Sequence, residues 1–188
     1  MGLALASRVT MDIPGIVQTI QASAPAEWMR TSVKAMPIVE ALHVLAATTV
    51  FGTILVVDLR LLGFPNTRRS FTRISDEMLQ LTWAAFFTAL ITGFLMFAAN
   101  ADTYFVNTAF RLKMLALLGA GVNMAIFQRI TFRTVGAWDT GTPPLAGRLA
   151  GAVSILIWVT VIFLARWIGF TKGYNFEVPD NVELDFKF

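Results

Sequence analysis

The sequence predicts an all-α, polytopic membrane protein: a four-transmembrane-helix bundle preceded by N-terminal interfacial amphipathic helices. Of the 188 residues, 56% are hydrophobic and only 14% charged, against about a quarter charged in soluble domains. The surplus apolar surface must therefore face lipid. The mean hydropathy is +0.65, and four stretches approach the roughly 20 apolar residues that a helix needs to cross a hydrocarbon core of about 30 Å. The basic residues gather at the ends of these stretches, where a membrane protein places them. Continuous apolar runs of this length are helices, because a helix satisfies its own backbone groups in lipid.

Residues 1–35 form the N-terminal segment. Ile13, Ile16, Val17 and Ile20 recur at helical spacing, and Pro25 opens a second short pattern through Trp28 and Val33. This predicts two short helices in the outer interface; a partly disordered leader is the alternative. Met1 to Ala6 is too short for the apolar region of a cleavable signal. Ala6 also stands where a myristoylation motif needs Ser or Thr. The transmembrane domain covers 36–168, with spans at about 36–57, 79–99, 112–127 and 149–168, the third extended by its flanks. Gly63-Phe-Pro-Asn66 breaks the first helix, Ser75, Asp76 and Glu77 read as the start of the second, and Gly141 to Pro144 closes the loop before the fourth. Trp138 and Trp167 are expected at interfaces. In the tail, residues 169–188, Val182 to Phe188 alternates with the period of a strand. It either docks on a β-rich partner by strand addition or frays.

Sidedness follows from Lys and Arg. Arg60, Arg68, Arg69 and Arg73 lie in the first connection and Arg129, Arg133 and Arg148 in the third, so two compact loops hold seven of the fifteen basic residues. This bias predicts cytoplasmic first and third loops, with the N-terminus and C-terminus periplasmic in a bacterial inner membrane. With no cysteine, disulfides, thiolate metal sites and iron–sulfur clusters are excluded. The net charge of +3 resides at helix ends, so no nucleic acid is expected as a partner. Nothing in the sequence matches a phosphate-cradling loop or a nucleophile with its base.

Ionisable groups within spans are costly and mark the places to look for chemistry. Glu40 and Asp58 stand five helical turns apart on one face, about 27 Å along the axis. His43 lies one turn from Glu40, and Arg60 points nearly the opposite way. Glu40-x-x-His43 is half of a carboxylate-bridged two-metal pattern. The other half is missing, which excludes a di-iron centre but leaves a single metal ion or proton handling at Glu40 and His43. A b-type haem is a further candidate. His43 would be its axial ligand with Met96 or Met114 opposite, Gly52, Gly93, Gly119 and Gly121 would admit the macrocycle, and Arg111, Lys113 or Arg166 would meet the propionates. The structural alternative pairs Glu40 with Arg111 or Lys113 and hydrogen-bonds His43 to Glu40 or a neighbouring helix. Glu40, Asp58, Arg60, Arg111, Asn123 and Gln128 make up the expected polar network. Arg60 and the first-loop arginines can both reach the interface, so the sequence leaves open whether Asp58 is paired. Ala116, Gly119, Ala120 and Asn123 form a small-residue stripe on the third helix, and Gly151, Ser154, Trp158 and Ile162 a comparable one on the fourth.

Several stretches carry a family resemblance: Val39-Glu-Ala-Leu-His-Val-Leu45 with Asp58-Leu-Arg-Leu-Leu-Gly63; Thr92-Gly-Phe-Leu-Met-Phe97; Ala109-Phe-Arg-Leu-Lys113 with Asn123 and Phe127-Gln-Arg129; and Pro143-Pro144 with Arg148, Gly151, Ser154 and Trp158. Over residues 25–170 the chain resembles a bacterial family of uncharacterised four-helix inner-membrane proteins, known only as a domain of unknown function. The resemblance implies fold and location and no activity. The expected partners are the lipid bilayer and a periplasmic or membrane protein. The leading expectation is a non-enzymatic scaffold or partner-binding subunit of a membrane complex. The alternatives are a small b-type cytochrome-like electron-transfer subunit, and metal or proton handling at Glu40 and His43.

Overall fold

A computed structural model describes residues 14–64 and 70–171. In chain order the elements are α1 (Gly15–Gln21), α2 (Ala24–Thr31), α3 (Ala35–Leu62), α4 (Phe71–Ala99), α5 (Ala101–Val106), α6 (Thr108–Ile126) and α7 (Leu145–Thr171). A π turn over Phe127–Thr131 and a 3-10 turn over Phe132–Ala137 continue α6. The four spanning helices are α3, extended α6, α4 and α7, with 28, 30, 29 and 27 residues. At 1.5 Å per residue each is longer than a hydrocarbon core of about 30 Å. No more than 22% of any of their apolar windows is buried inside the protein, so their outer faces match hydrocarbon rather than water. The architecture is the expected four-helix membrane bundle.

The packing order is α4–α3–α7–α6. Helices α4 and α6 approach one another at their ends through two aromatic clusters. Phe97 stacks on Phe110, with ring centroids 5.5 Å apart, beside Tyr104. At the opposite end Phe71 meets Phe127, Phe132 and Trp138. Trp138, which directly follows the third span, is a buried core ring, 7% exposed. Its indole lies 5.1 Å from the Phe71 ring. Trp167 remains half-exposed and stacks on Phe163.

Gly63 ends α3 as expected, in the left-handed conformation at φ +96°, and the amides of Gly63 and Phe64 return to the carbonyls of Arg60 and Leu59. The start of α4 differs from the expectation. The helix begins at Phe71 with Ser70 as N-cap, a turn before Ser75. The reason is non-local: the Asp139 carboxylate accepts from the Ser70 hydroxyl at 2.7 Å and the Thr72 amide at 2.8 Å. The Asp139 carbonyl accepts from Phe71 N–H at 2.9 Å. These bonds, the Ser70 hydroxyl first, hold the Asp139 carboxyl below its usual range.

Both short N-terminal helices form, and they cap one end of the bundle. Met29 is buried against Ala35, Val39 and Ala99. The Arg30 guanidinium donates to the carbonyls of Gln21 at 2.9 Å and Ala99 at 3.2 Å, closing the C-terminus of α4. The Gln21 side chain accepts from Asp102 N–H at 2.9 Å, which ties down α5, a helix the sequence reading did not separate. Ile13 and the strand-like run Val182 to Phe188 lie outside the described residues.

Candidate functional site

The ionisable side chains of the spans fall into two groups, one near each end of α3. At the capped end, α3 presents His43 to α4. Its Nδ1 is 3.0 Å from the Ala89 carbonyl and 3.1 Å from the Thr92 hydroxyl. A carbonyl only accepts, so Nδ1 carries the proton. The Thr92 hydroxyl donates its own hydrogen to the Thr88 carbonyl at 2.6 Å and is free to accept. In its neutral form the ring then has its lone pair on Nε2, and no residue among those described hydrogen-bonds that nitrogen.

Gly93 makes this approach feasible. A Cβ there would stand 3.0 Å from His43 Cε1. The notch read from sequence as room for a macrocycle is filled by the imidazole itself. Gly52 and Gly121 have nothing within 4 Å of an added Cβ and open outward, while Gly119 faces Ile157 at 3.9 Å. Met96 packs with the cluster of Met29, Ala35, Val39 and Ala99, one turn beyond Thr92. Glu40 and Lys113 are the electrostatic neighbours of His43, and the Lys113 ammonium sits over the Phe110 ring at 5.5 Å. The expected ion pair between Glu40 and Arg111 or Lys113 does not form: α6 packs along α7, not α3, and Glu40 and Arg111 are exposed. Among the described residues no three His, Asp or Glu side chains gather into a metal site, so a metal on Glu40 and His43 would need further ligands from elsewhere.

At the other end, Asp58 and Arg60 are both buried, 5% and 2% exposed, and they face different neighbours. Arg60 donates to the carbonyls of Asp139 at 2.8 Å and Gly141 at 3.4 Å, holding the third loop against α3. Asp58 meets the Ser154 hydroxyl of α7; its Oδ2 is buried with no hydrogen-bond partner among the described residues. Arg68 and Arg69 lie outside the described residues. The six expected network residues are therefore dispersed. Asn123 donates to the Ala150 carbonyl at 3.0 Å across the α6–α7 seam, as its small-residue stripe predicted, and Gln128 is exposed. Sequence reasoning missed Thr82, whose hydroxyl donates to Thr53 at 2.7 Å between α4 and α3. Two threonines within apolar runs were the available signal. It also missed Asp139, whose helix-capping role depends on a partner 67 residues away.

An open groove of about 680 Å³ runs between the start of α6 and the end of α7, lined by Ala109, Leu112, Phe163, Leu164 and Trp167; none of the predicted site residues reaches it. Comparison with curated proteins and with solved structures finds no match. A family profile does match, over residues 29–171, and by that match the chain belongs to DUF6644, a family of unknown function.

Proposed function

We propose that this chain is a non-enzymatic subunit of a membrane complex in a bacterial inner membrane, and that the cap of α1, α2 and α5 receives a partner protein on the periplasmic side. The observation that carries this reading is that the cap is rigid and yet apolar outward. Arg30 and Gln21 fix it to the ends of α4 and α5, while Ile16, Trp28 and Val33 are 70%, 53% and 90% exposed. Large apolar side chains held in fixed positions beyond the spanning helices are characteristic of an interaction surface. A photo-reactive amino acid at Val33, activated in native membranes, should give a protein adduct of one defined mass that Ile16→Asp abolishes. Adducts to lipid alone would refute partner binding and leave an interfacial anchor. Alkaline phosphatase fused at either terminus should be active if both termini are periplasmic.

A second reading is favoured by His43, whose clamped Nδ1–H and available Nε2 lone pair are what a ligating histidine needs. It would place a b-type haem, a metal ion or a transferable proton at Nε2, with Glu40 and Lys113 as its charged neighbours. A haem would also require α3 and α4 to part beside Gly93, where the imidazole now touches α4. A Soret band in protein purified with haem supplied, lost in His43→Ala, would support the haem; a colourless preparation would remove it. Elemental analysis of the same pair decides the metal.

A further inference from the structure

We infer that Asp58 and Ser154 form a proton-binding site at the α3–α7 contact, in which the Asp58 carboxyl is held as the neutral acid and exchanges its proton with the aqueous phase at the third-loop end of the bundle.

Asp58 is 5% exposed and stands one turn from the end of α3. The two helices touch there: a Cβ on Gly151 would come 3.0 Å from the Asp58 carbonyl oxygen and 3.1 Å from Leu61 Cβ. Ser154 supplies one hydroxyl, and Oδ2 is left without a partner among the described residues. An ionised carboxylate accepts at both oxygens and needs a donor or a cation for each; without them its burial is the costliest state available. A neutral acid leaves only one polar hydrogen to satisfy.

Among the described residues, the charged groups of the surrounding elements are engaged or turned away. Arg60, on α3 itself, is directed to the Asp139 and Gly141 carbonyls. On α4, Arg73 pairs with Glu77 at 3.0 Å on the exposed side, and Asp76 is exposed beside them. Arg148 of α7, and Arg129 and Arg133 in the extension of α6, are exposed, and Asp139 caps α4. The ligand is a proton rather than a metal cation, because one carboxyl and one hydroxyl fall far short of the roughly six oxygens a hard cation gathers. Asp58 lies one turn from the end of α3, so the path for a proton between its carboxyl and the third-loop end of the bundle is short.

The test uses the whole protein reconstituted in phosphatidylcholine vesicles and the apolar reagent dicyclohexylcarbodiimide, which attacks protonated carboxyls in apolar surroundings. At neutral pH, Asp58 should be labelled on the order of a hundredfold faster than the solvent-exposed side chains of Asp76 and Glu77. Its labelling should fall as pH rises and should be indifferent to sodium. Protection by sodium at constant pH would overturn the proton as the ligand. Because the reagent must reach the site, an infrared difference spectrum between wild type and Asp58→Asn provides an independent reading. The carbonyl band of a protonated acid should be present in the wild type and absent in the variant. Carboxylate bands in its place would overturn the inference.

Discussion

The α3–α7 contact makes a prediction in which one substitution changes sign with position. Gly151→Ala adds a methyl that meets the Asp58 carbonyl oxygen at 3.0 Å and Leu61 Cβ at 3.1 Å. Both are backbone or first side-chain atoms and cannot swing aside, so the helices must move apart by several tenths of an ångström. Overpacking of this kind costs about 1–3 kcal/mol. Gly121→Ala on α6 adds the same methyl where nothing lies within 4 Å. Each replacement also gains the helix preference of alanine over glycine, about 0.8–1.0 kcal/mol, so that contribution cancels between them. The difference in stability is then the overpacking cost alone, and for a chain of this size it corresponds to about 2–12 °C in Tm. Thermal unfolding of both variants in one detergent, followed by tryptophan emission, measures it. Gly121→Ala should match or exceed the wild type and Gly151→Ala should fall below it. Equal shifts would refute the reasoning, because they would mean that α3 and α7 do not touch at this level.

Since His43 is the only histidine, a nitrogen NMR spectrum of the imidazole should show one ring with Nδ1 protonated and Nε2 bare, and the opposite tautomer would contradict the Ala89 hydrogen bond. Gly93→Ala should displace that ring, changing the imidazole spectrum and costing about 1–3 kcal/mol in thermal stability. Asn123→Leu should lose the interhelical bond to the Ala150 carbonyl, about 0.6 kcal/mol and at most about 1.7, read as a small fall in Tm. Asp139 predicts an acid limb. Its carboxyl is held below the ordinary value of 3.8, chiefly by the Ser70 hydroxyl and then by the Thr72 amide. A group depressed in this way contributes its full stability above the unfolded value and loses it as pH falls through the folded one. The wild type should therefore weaken below about pH 4 by about 0.5–1 kcal/mol, allowing for partial solvent screening. Asp139→Asn should lack that dependence in a pH series of melting curves.

The four spans were legible because hydrocarbon imposes a simple rule on composition, and no partner residue is needed to read a run of twenty apolar side chains. Gly63 and Pro143-Pro144 were legible for a similar reason: their backbone preferences are local. The start of α4 was not. Ser75-Asp76-Glu77 has the composition of a helix start, but Ser70 wins because Asp139 arrives from another loop to complete the cap. The burial of Trp138 was not legible for the same cause, since only the fold sets Phe71 against it. His43, Asp58 and Arg60 could be singled out from the sequence as ionisable side chains within a span, but their partners could not. Helical spacing tells which side of α3 a residue occupies, while the order α4–α3–α7–α6 decides what stands on that side. That order assigns His43 to α4 and Asp58 to α7, and it keeps α6 with Arg111 away from Glu40.

The distribution of satisfied and unsatisfied polar groups separates packing from chemistry. Thr53 with Thr82 and Asn123 with the Ala150 carbonyl are paired across helix seams, and each pair can do little else while the helices stay in contact. Arg60 is likewise committed to two loop carbonyls. Among the described residues, two atoms on α3 invite a different reading: Nε2 of His43, which accepts no hydrogen bond from a described residue while Nδ1 is clamped, and Oδ2 of Asp58, buried at a contact that Gly151 makes close. In a medium where an unmade hydrogen bond costs more than in water, a chain selected for stability alone would have replaced both side chains with apolar ones. Chemistry in this bundle should therefore be sought on α3, at its two ends, and variants that neutralise these atoms while preserving shape, His43→Gln and Asp58→Asn, should lose function before they lose fold.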